Sequence, residues 1–320
     1  MRILLVKTSS LGDVVHNLPV ATDLRRRLPE ASIDWVVEEG FAELPRLHPA
    51  VDRVLPVAVR RWRRAPLAAA TWREMAAWRR QLRQHSYDLV IDSQGLLKSA
   101  LIARQASLTP AGRLCGLDTA SAREPLAARF YGQSLAVPRS LHAVERNRRL
   151  AALAVADEAP LPLDYGIQAP PLVADWVPRG AYAVLLTATS RADKEWPEGN
   201  WHGLGMALVA TGLRCILPGG NEAERARAAR LATQIGRAVA APAMNLTDLA
   251  GLLSGAALVV GVDTGLVHLA AALGRPTVAL YCASDPALTG VYAGPRAINL
   301  GGPGAAPAAG QVVRAALDLL

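Results

Sequence analysis

The residues best placed to do chemistry are the lysines. Against a combined Lys+Arg count of 35, the chain carries only Lys7, Lys98 and Lys194; every other such cation is arginine. A sequence that writes arginine nearly everywhere a positive charge will serve has kept lysine where a compact ammonium on a flexible stem is needed instead of a planar fork. Lys7 follows the apolar run Ile3-Leu4-Leu5-Val6, Lys98 comes shortly after Asp88-Leu89-Val90-Ile91-Asp92, and Lys194 comes after Ala183-Val184-Leu185-Leu186. In open α/β sheets the segments leaving the carboxyl ends of strands line the binding crevice. The competing explanation is drift in composition, with lysine left over at indifferent surface sites.

The first of these segments is Lys7-Thr8-Ser9-Ser10-Leu11-Gly12-Asp13, between an apolar run and a helical pattern. Small hydroxyl residues and Gly12 let a substrate approach the backbone. A carboxylate projecting from such a loop can take the proton of an attacking hydroxyl at hydrogen-bond distance. Asp is also a preferred residue at helix starts, so a capping role competes with that of a base. Pro19 leaves open whether the helix begins at Asp13 or restarts after Asn17.

A second segment, Val259-Val260-Gly261-Val262-Asp263-Thr264-Gly265-Leu266-Val267-His268, reads as a buried strand, a tight turn and a helix. Backbone N–H groups at such a helix start, with its positive dipole end, suit a diphosphate. Asp263 fits a cap or an acceptor for a ligand hydroxyl better than a phosphate contact, because two negative groups repel. His268, about one turn in, can donate to a phosphate oxygen or simply pack. A third segment, Thr187-Ala188-Thr189-Ser190-Arg191-Ala192-Asp193-Lys194-Glu195-Trp196-Pro197, puts hydroxyls and a lysine at a strand end. An ammonium there can neutralise charge building up on a leaving diphosphate; the alternative is an exposed loop whose Trp196-Pro197 starts the next helix. The chain has no Asp-x-Asp pair and no Gly-Lys-Ser/Thr phosphate loop, which argues against a magnesium-held nucleotide of the usual kinds. A diphosphate leaving this site would rely on Lys194 and the helix start after Asp263, with no metal and no other cofactor.

These segments need a scaffold, and the hydrophobic pattern supplies one. Strand-like runs at 2–6, 33–37, 53–57, 88–92 and 113–116 alternate with helical patterns, the signature of βαβ units and a parallel sheet. Over 67–84, Thr71, Met75, Trp78 and Leu82 fall three or four apart, predicting a helix with those residues inward and its arginines outward. From Asp157 to Gly180 five prolines and no periodicity read as an interdomain linker. Alternation resumes with strands at 182–188, 213–217, 257–262 and 277–281, helices from about 201 and over 221–235, and a terminal helix near 310–319. Two doubly wound domains predict a ligand cleft between them and a hinge that closes it.

The chain, 320 residues and 51% hydrophobic, is long enough for two cores. No stretch approaches the roughly 18 to 20 apolar residues of a membrane span, and Met1 leads straight into a strand pattern, so a cytosolic protein is expected. Cys115, Cys215 and Cys282 lack a metal spacing and read as reduced core residues. The net charge of +8 predicts an acidic partner. That charge is concentrated: between Arg60 and Arg83 there are eight arginines and one acid, Glu74, and the run Arg60-Arg61-Trp62-Arg63-Arg64 is densest.

Four segments together resemble glycosyltransferase family nine, the lipopolysaccharide heptosyltransferases of GT-B fold. They are the run from Lys7 through Asp13 to Pro19, Asp92-Ser93-Gln94-Gly95-Leu96-Leu97-Lys98-Ser99-Ala100, Lys194-Glu195-Trp196-Pro197, and Asp263-Thr264-Gly265-Leu266-Val267-His268-Leu269. The likeness runs from the first residue to the last strand, and four motifs in order are far more specific than any one. It implies an α/β chain of two Rossmann-like domains facing each other across a cleft. Residues 1–158 would bind the acceptor, 159–180 would link, and 181–320 would bind the nucleotide sugar, with the terminal helix free to pack back on the first domain.

The resemblance also implies metal-independent, inverting transfer of L-glycero-D-manno-heptose from ADP-heptose to the first Kdo of Kdo2-lipid A. By matching positions, Asp13 would be the general base. Thr189, Ser190, Lys194, Asp263, Thr264, Gly265 and His268 would form the donor site, with Glu224 and Met244 at the nucleoside on alignment spacing alone. Ser190 stands where a second threonine is common in the family and keeps the hydroxyl. Lys7, Ser10, Gly12, Lys98, Arg60, Arg61, Arg63 and Arg64 would take the acceptor side, where Kdo carboxylates and lipid A phosphates must be held. The Ser-Ser-Leu-Gly-Asp-Val-Val-His text favours the branch acting on the first Kdo over heptosyltransferase II, which opens differently.

An acceptor anchored in the inner membrane accounts for a basic, tryptophan-bearing surface, with Trp62 at the interface. The chain is then expected to be a monomer, cytoplasmic and peripheral on the inner membrane's cytoplasmic face. Two other functions compete. A GT-B sugar-nucleotide epimerase would convert the nucleotide sugar with no acceptor present. A nucleic-acid binder would explain the charge, but the basic run lacks a recognised nucleic-acid fold and interleaved stacking aromatics, so no nucleic acid is expected.

Overall fold

The computed structural model describes every residue except Ser190, so the donor-site role expected of Ser190 falls outside the described residues. The chain divides into two compact units, Met1–Ile167 and Gln168–Leu320.

The first unit contains β1 (Arg2–Val6), α1 (Leu11–Val15), α2 (Leu18–Arg27), β2 (Ser32–Glu38), α3 (Glu43–Arg46), β3 (Arg53–Val57), α4 (Val59–Trp62) and α5 (Ala69–Leu82). It continues with β4 (Ser86–Asp92), α6 (Leu97–Ala103), β5 (Ser107–Leu117), β6 (Gln133–Leu135) and α7 (Ala143–Ala154). Its strands form one parallel sheet in the order β3-β2-β1-β4-β5-β6. The central strands are buried on both faces, which is why β1 and β4 read as near-continuous apolar runs without alternation. Strand order reverses between β1 and β4, so the loops leaving these two strands open the crevice of the sheet.

The second unit repeats the plan. It contains β7 (Tyr182–Leu186), α8 (Glu198–Ala210), β8 (Arg214–Leu217), α9 (Glu222–Ile235), β9 (Ala238–Ala240), α10 (Leu246–Ser254) and β10 (Leu258–Val262). Then come α11 (Gly265–Ala272), β11 (Thr277–Tyr281), α12 (Pro286–Thr289), β12 (Ala297–Gly301) and α13 (Ala309–Asp318). Its parallel sheet has the order β12-β11-β10-β7-β8-β9, with the reversal between β7 and β10. Close packing at two positions requires glycine. A Cβ on Gly219 would lie 2.7 Å from the Arg225 backbone nitrogen, and one on Gly261 would lie 2.9 Å from Leu186 Cβ.

Several expectations change in the folded chain. Pro19 does not choose between two helix starts: α1 runs from Leu11 to Val15 with His16 as its C-cap, and α2 restarts at Leu18 with the proline in its first turn, where the missing N–H costs nothing. The proline-rich stretch is packed instead of free. Arg26 and Arg27 on α2 donate to Pro162, Asp164, Asp157 and Ala159, and Arg148 donates to Leu161, so arginines satisfy carbonyls that no sheet or helix could. Tyr165 and Ile167 are buried in the first unit, and the Leu172 N–H donates to Gly251 O in the second. Val312 and Ala316 of the terminal helix α13 are buried in the second unit's own core. In α5, Thr71, Trp78 and Leu82 are buried as the spacing predicts, but Met75 is only half-buried. The three cysteines are free and buried.

Candidate functional site

In the first unit, the site is built on the loop that β1 delivers at the strand reversal. Gln94, just past β4, clamps that loop: its Oε1 accepts from the Thr8 N–H at 2.8 Å and the Ser9 N–H at 3.2 Å, while its Nε2 donates to Ser9 O at 2.5 Å. Gln94 is itself fixed by its N–H donating to Asp92 Oδ1 at 2.9 Å. Asp92 is fully buried and accepts from Ser99 Oγ and Tyr131 OH, each at 2.8 Å. Burial drives its carboxyl upward; the bonds from Ser99, Gln94 and Tyr131 and the charge of Lys7 resist.

Asp13 stands in the first turn of α1. Its Oδ2 accepts from the Ser10 N–H at 2.7 Å and from Ser10 Oγ at 3.0 Å, so the carboxylate reaches back to the residue that starts the helix. The capping role is therefore realised, and it uses one oxygen. Among the described residues, Oδ1 has no protein partner and Asp13 has no ion pair. The side chain is partly exposed.

The lysines separate sharply. Lys7 is buried, and its ammonium donates to Ser93 O at 2.8 Å and Asn147 Oδ1 at 3.2 Å. Burial lowers its pKa, against the opposing charges of Asp13 and Asp92. The structure thus places Lys7 beneath the loop as a brace between β1, the turn after β4 and α7, not on its open side. Lys98, half-buried on α6, donates to Ser9 Oγ at 2.9 Å. Burial lowers its pKa too; Glu38 opposes that, Arg60 and Arg63 add to it, and Asp13 opposes it, so these groups share one neighbourhood. Gly12 lies within α1 beside Asp13.

The arginine run is less uniform than its sequence. Arg60 sits over the Phe41 ring at 5.1 Å, with its backbone N–H on Glu38. Arg61 is consumed by Glu39 and Glu74, at 2.9 and 2.6 Å. Its hydrogen bonds to Glu74 and Glu39 raise the guanidinium pKa further, and Arg61, then Trp62, pull the Glu74 carboxyl down to about 2. A guanidinium already forked onto two carboxylates has little left for an acceptor. Arg63 and Arg64 are exposed. Trp62 packs edge-to-face on Trp78 at 6.2 Å, and the exposed indole of this region is Trp72.

In the second unit, Asp263 follows β10 at the strand reversal and gathers the donor-side candidates. Lys194 Nζ lies 2.6 Å from Asp263 Oδ2, Ser284 Oγ donates to the same oxygen at 2.5 Å, and Thr189 Oγ1 donates to Asp263 O at 3.1 Å. His268, buried one turn into α11, brings Nε2 to 3.7 Å from Asp263 Oδ1. Burial alone would raise the Asp263 carboxyl, but the bonds from His268, Lys194 and Ser284 and the Lys194 charge together hold it well below the usual carboxylate range. Asp263 is neither a cap nor an open acceptor here: it is the counter-ion of Lys194. Thr264 is the extended residue before α11, and Gly265 is its first residue, leaving the early backbone N–H groups to point outward.

Beside this cluster, a cavity of about 210 Å³ is lined by Thr189, Gly219, Gly220, Glu224, Met244 and Thr264, among others, so the two residues placed on spacing alone share one pocket with two of the motif residues. Glu224 is partly spent: it accepts from the Gly220 N–H at 2.7 Å and from Asn221 Nδ2 at 2.8 Å. Sequence reasoning missed Gln94 and Ser284 as site residues. Gln94 lay inside a quoted motif, and both follow strands at or next to a reversal, a signal visible only once strand order is known.

Comparison with known proteins agrees with this geometry. Residues 75–312 match the model of glycosyltransferase family 9 (heptosyltransferase). Lipopolysaccharide heptosyltransferase 1 of Pseudomonas aeruginosa is 48% identical over 307 residues, covering 94% of this chain and 84% of the relative. The structure of the E. coli heptosyltransferase WaaC with ADP superposes with a TM-score of 0.89 at 43% identity, covering 99% of this chain and 98% of that one. WaaC with ADP-2-deoxy-2-fluoro heptose gives 0.85 at 42% identity over the same shares. Two Rossmann-like α/β units, a carboxylate in the first turn of the helix after the first strand and a lysine–aspartate pair at the second reversal thus belong to a chain whose relatives are heptose-transferring enzymes: it is a member of glycosyltransferase family 9, a GT-B glycosyltransferase.

Proposed function

We propose that this chain transfers L-glycero-D-manno-heptose from ADP-heptose to the first Kdo of Kdo2-lipid A, with inversion and without a metal. The observation that carries the mechanism is the Asp13 carboxylate, pinned through Oδ2 by Ser10 and open at Oδ1. Oδ1 takes the proton of the acceptor hydroxyl as its oxygen attacks the anomeric carbon. The bond from that carbon to the diphosphate oxygen breaks, and its electron pair leaves with ADP. Lys194 and the first N–H groups of α11 stabilise the charge that develops. Asp263 keeps the Lys194 ammonium aimed until the diphosphate competes for it. The cavity at Glu224 and Met244 takes the nucleoside. The ligands named for the two WaaC structures, ADP and a fluorinated ADP-heptose, support this choice of nucleotide.

Lys98, Arg60, Arg63 and Arg64 hold the anionic groups of the acceptor. Arginines near an anionic membrane surface each contribute about 1 kcal/mol, enough in number to keep the enzyme at the cytoplasmic face of the inner membrane, where it works as a monomer. No helix among the described residues is long and apolar enough to cross a membrane. Incubation with ADP-heptose and Kdo2-lipid A, followed by mass spectrometry, should show addition of one heptose, unchanged by excess EDTA. Conversion of ADP-heptose without acceptor would favour an epimerase instead, and loss of activity in EDTA reversed by magnesium would overturn metal independence.

A further inference from the structure

Between α4, α5 and α6 of the first unit runs an open groove of about 1050 Å³. Its walls are Trp62, Trp72, Met75, Trp78, Leu101 and Ile102, and two of these are far more exposed than an ordinary core neighbour: Trp72 at 60% and Leu101 at 46%. Arg63, Arg79, Arg80 and Arg83 line it too, and no acidic residue does. Among the described residues, none of these four arginines has a carboxylate partner; the local acids are spent on Arg61. Lys98 lines the groove and also donates to Ser9 Oγ, so the groove is continuous with the Asp13 loop.

An apolar trough flanked by uncompensated arginines is a poor receptor for a nucleotide or a sugar, whose surfaces are polar throughout. An acidic peptide or nucleic acid would satisfy the arginines and leave Trp72 and Leu101 in water. The volume is just above the roughly 300–1,000 Å³ usual for small-ligand pockets, and Met75, displaced from the core position its spacing predicts, is an adaptable lining for a flexible chain. An amphiphile fits both halves: hydrocarbon against the tryptophans and leucine, phosphates against the guanidinium groups.

We propose that this groove seats an acyl chain of the phosphorylated glycolipid acceptor, with the lipid phosphates on the flanking arginines and the sugar end led past Lys98 toward Asp13. This rests on the acceptor proposed above. Leu101→Glu puts a charge in the trough at a position already 46% exposed, so the fold should be kept, as a thermal melt would check. Binding is followed by tryptophan fluorescence with two probes, lipid A in detergent and its fully de-acylated backbone. The wild-type chain should bind lipid A at least about tenfold more tightly than the backbone, and Leu101→Glu should remove most of that difference. Heptose transfer to a fully de-acylated Kdo2 acceptor should stay within about twofold of wild type in the same variant. An Arg79→Glu, Arg80→Glu double variant should weaken both probes, since both keep the phosphates. Equal affinity of the wild type for the two probes, or unchanged lipid A binding in Leu101→Glu, overturns the proposal. So does phosphatidylglycerol in vesicles binding as tightly as lipid A with the same loss in the variant, which would give the groove to bulk membrane lipid. If lipid A binds as expected but no heptose is ever transferred, the activity is wrong and the groove remains a lipid A site.

Discussion

The two units place a lysine and an aspartate at matching points of the same topology, and use them differently. Lys7 leaves the first strand of one sheet and Asp92 ends its fourth; Lys194 leaves the first strand of the other and Asp263 follows its fourth. In the first unit both groups are buried and no direct ion pair forms: Lys7 goes to Ser93 O and Asn147, and Asp92 to Ser99 and Tyr131. In the second the pair is direct, at 2.6 Å, and each side chain keeps some exposure, 19% and 14%. Position at a strand reversal thus marks a residue as important without deciding its work. Burial and partners decide it. We propose that the first unit works through Asp13, partly exposed at the start of α1, while the second works through its partly exposed lysine.

The comparison breaks most visibly at Asp13. Asp13→Ala should lower kcat by about 10²–10⁴-fold, the usual range for a positioned base, and leave ADP-heptose binding nearly unchanged by calorimetry. Near-normal turnover would return Asp13 to a purely capping role. The lysines come next. Lys194→Ala should cost about 10²–10³-fold in kcat, and Lys194→Arg should also be impaired, because a planar fork cannot replace a compact ammonium at 2.6 Å from Asp263. Lys7→Met should instead cost stability, about 1–3 kcal/mol for the partners left unpaired, with the acceptor KM little changed. A large rise in acceptor KM at full stability would put Lys7 in contact with the acceptor, as the sequence alone suggested.

Much of this was legible beforehand, because buried parallel strands announce themselves as apolar runs and loops after them carry the unusual residues. Strands 2–6, 53–57 and 277–281 lie where the pattern places them. The edge strands β6, β9 and β12 were not legible: they are short or only partly buried, so no apolar run marks them. Asp13 and Lys194 could be picked from company and position. Which lysine would be buried could not, since that depends on Asn147, which lies 140 residues away from Lys7. Arg61 looked like its neighbours until Glu39 and Glu74 came within reach. Gln94 is the clearest omission. A neutral side chain gives no charge signal, yet it holds two N–H groups and one carbonyl of the Asp13 loop. Gln94→Ala should reduce kcat by about tenfold through a loosened base, with ADP-heptose affinity intact. An equal loss in a variant assayed for donor binding would mean general misfolding.

The smallest effect tests the sign of the electrostatics. Asp263 is held below the usual carboxylate range in the fold, so the folded state binds its proton less readily than the unfolded chain. Its contribution to stability is therefore fully present above about pH 4, the ordinary carboxylate value, and is lost as pH falls below it. Asp92 is shifted the other way, so its contribution is present at low pH and lost as pH rises through its elevated folded value. Thermal melts of Asp263→Asn should fall below wild type at neutral pH and converge with it as the solution is acidified. For Asp92→Asn the dependence should reverse, with the isosteric amide gaining on the wild type as pH rises. If both variants follow the same trend, the two lysine–aspartate sets are electrostatically alike, and the division between a buried brace and a ligand-facing pair fails.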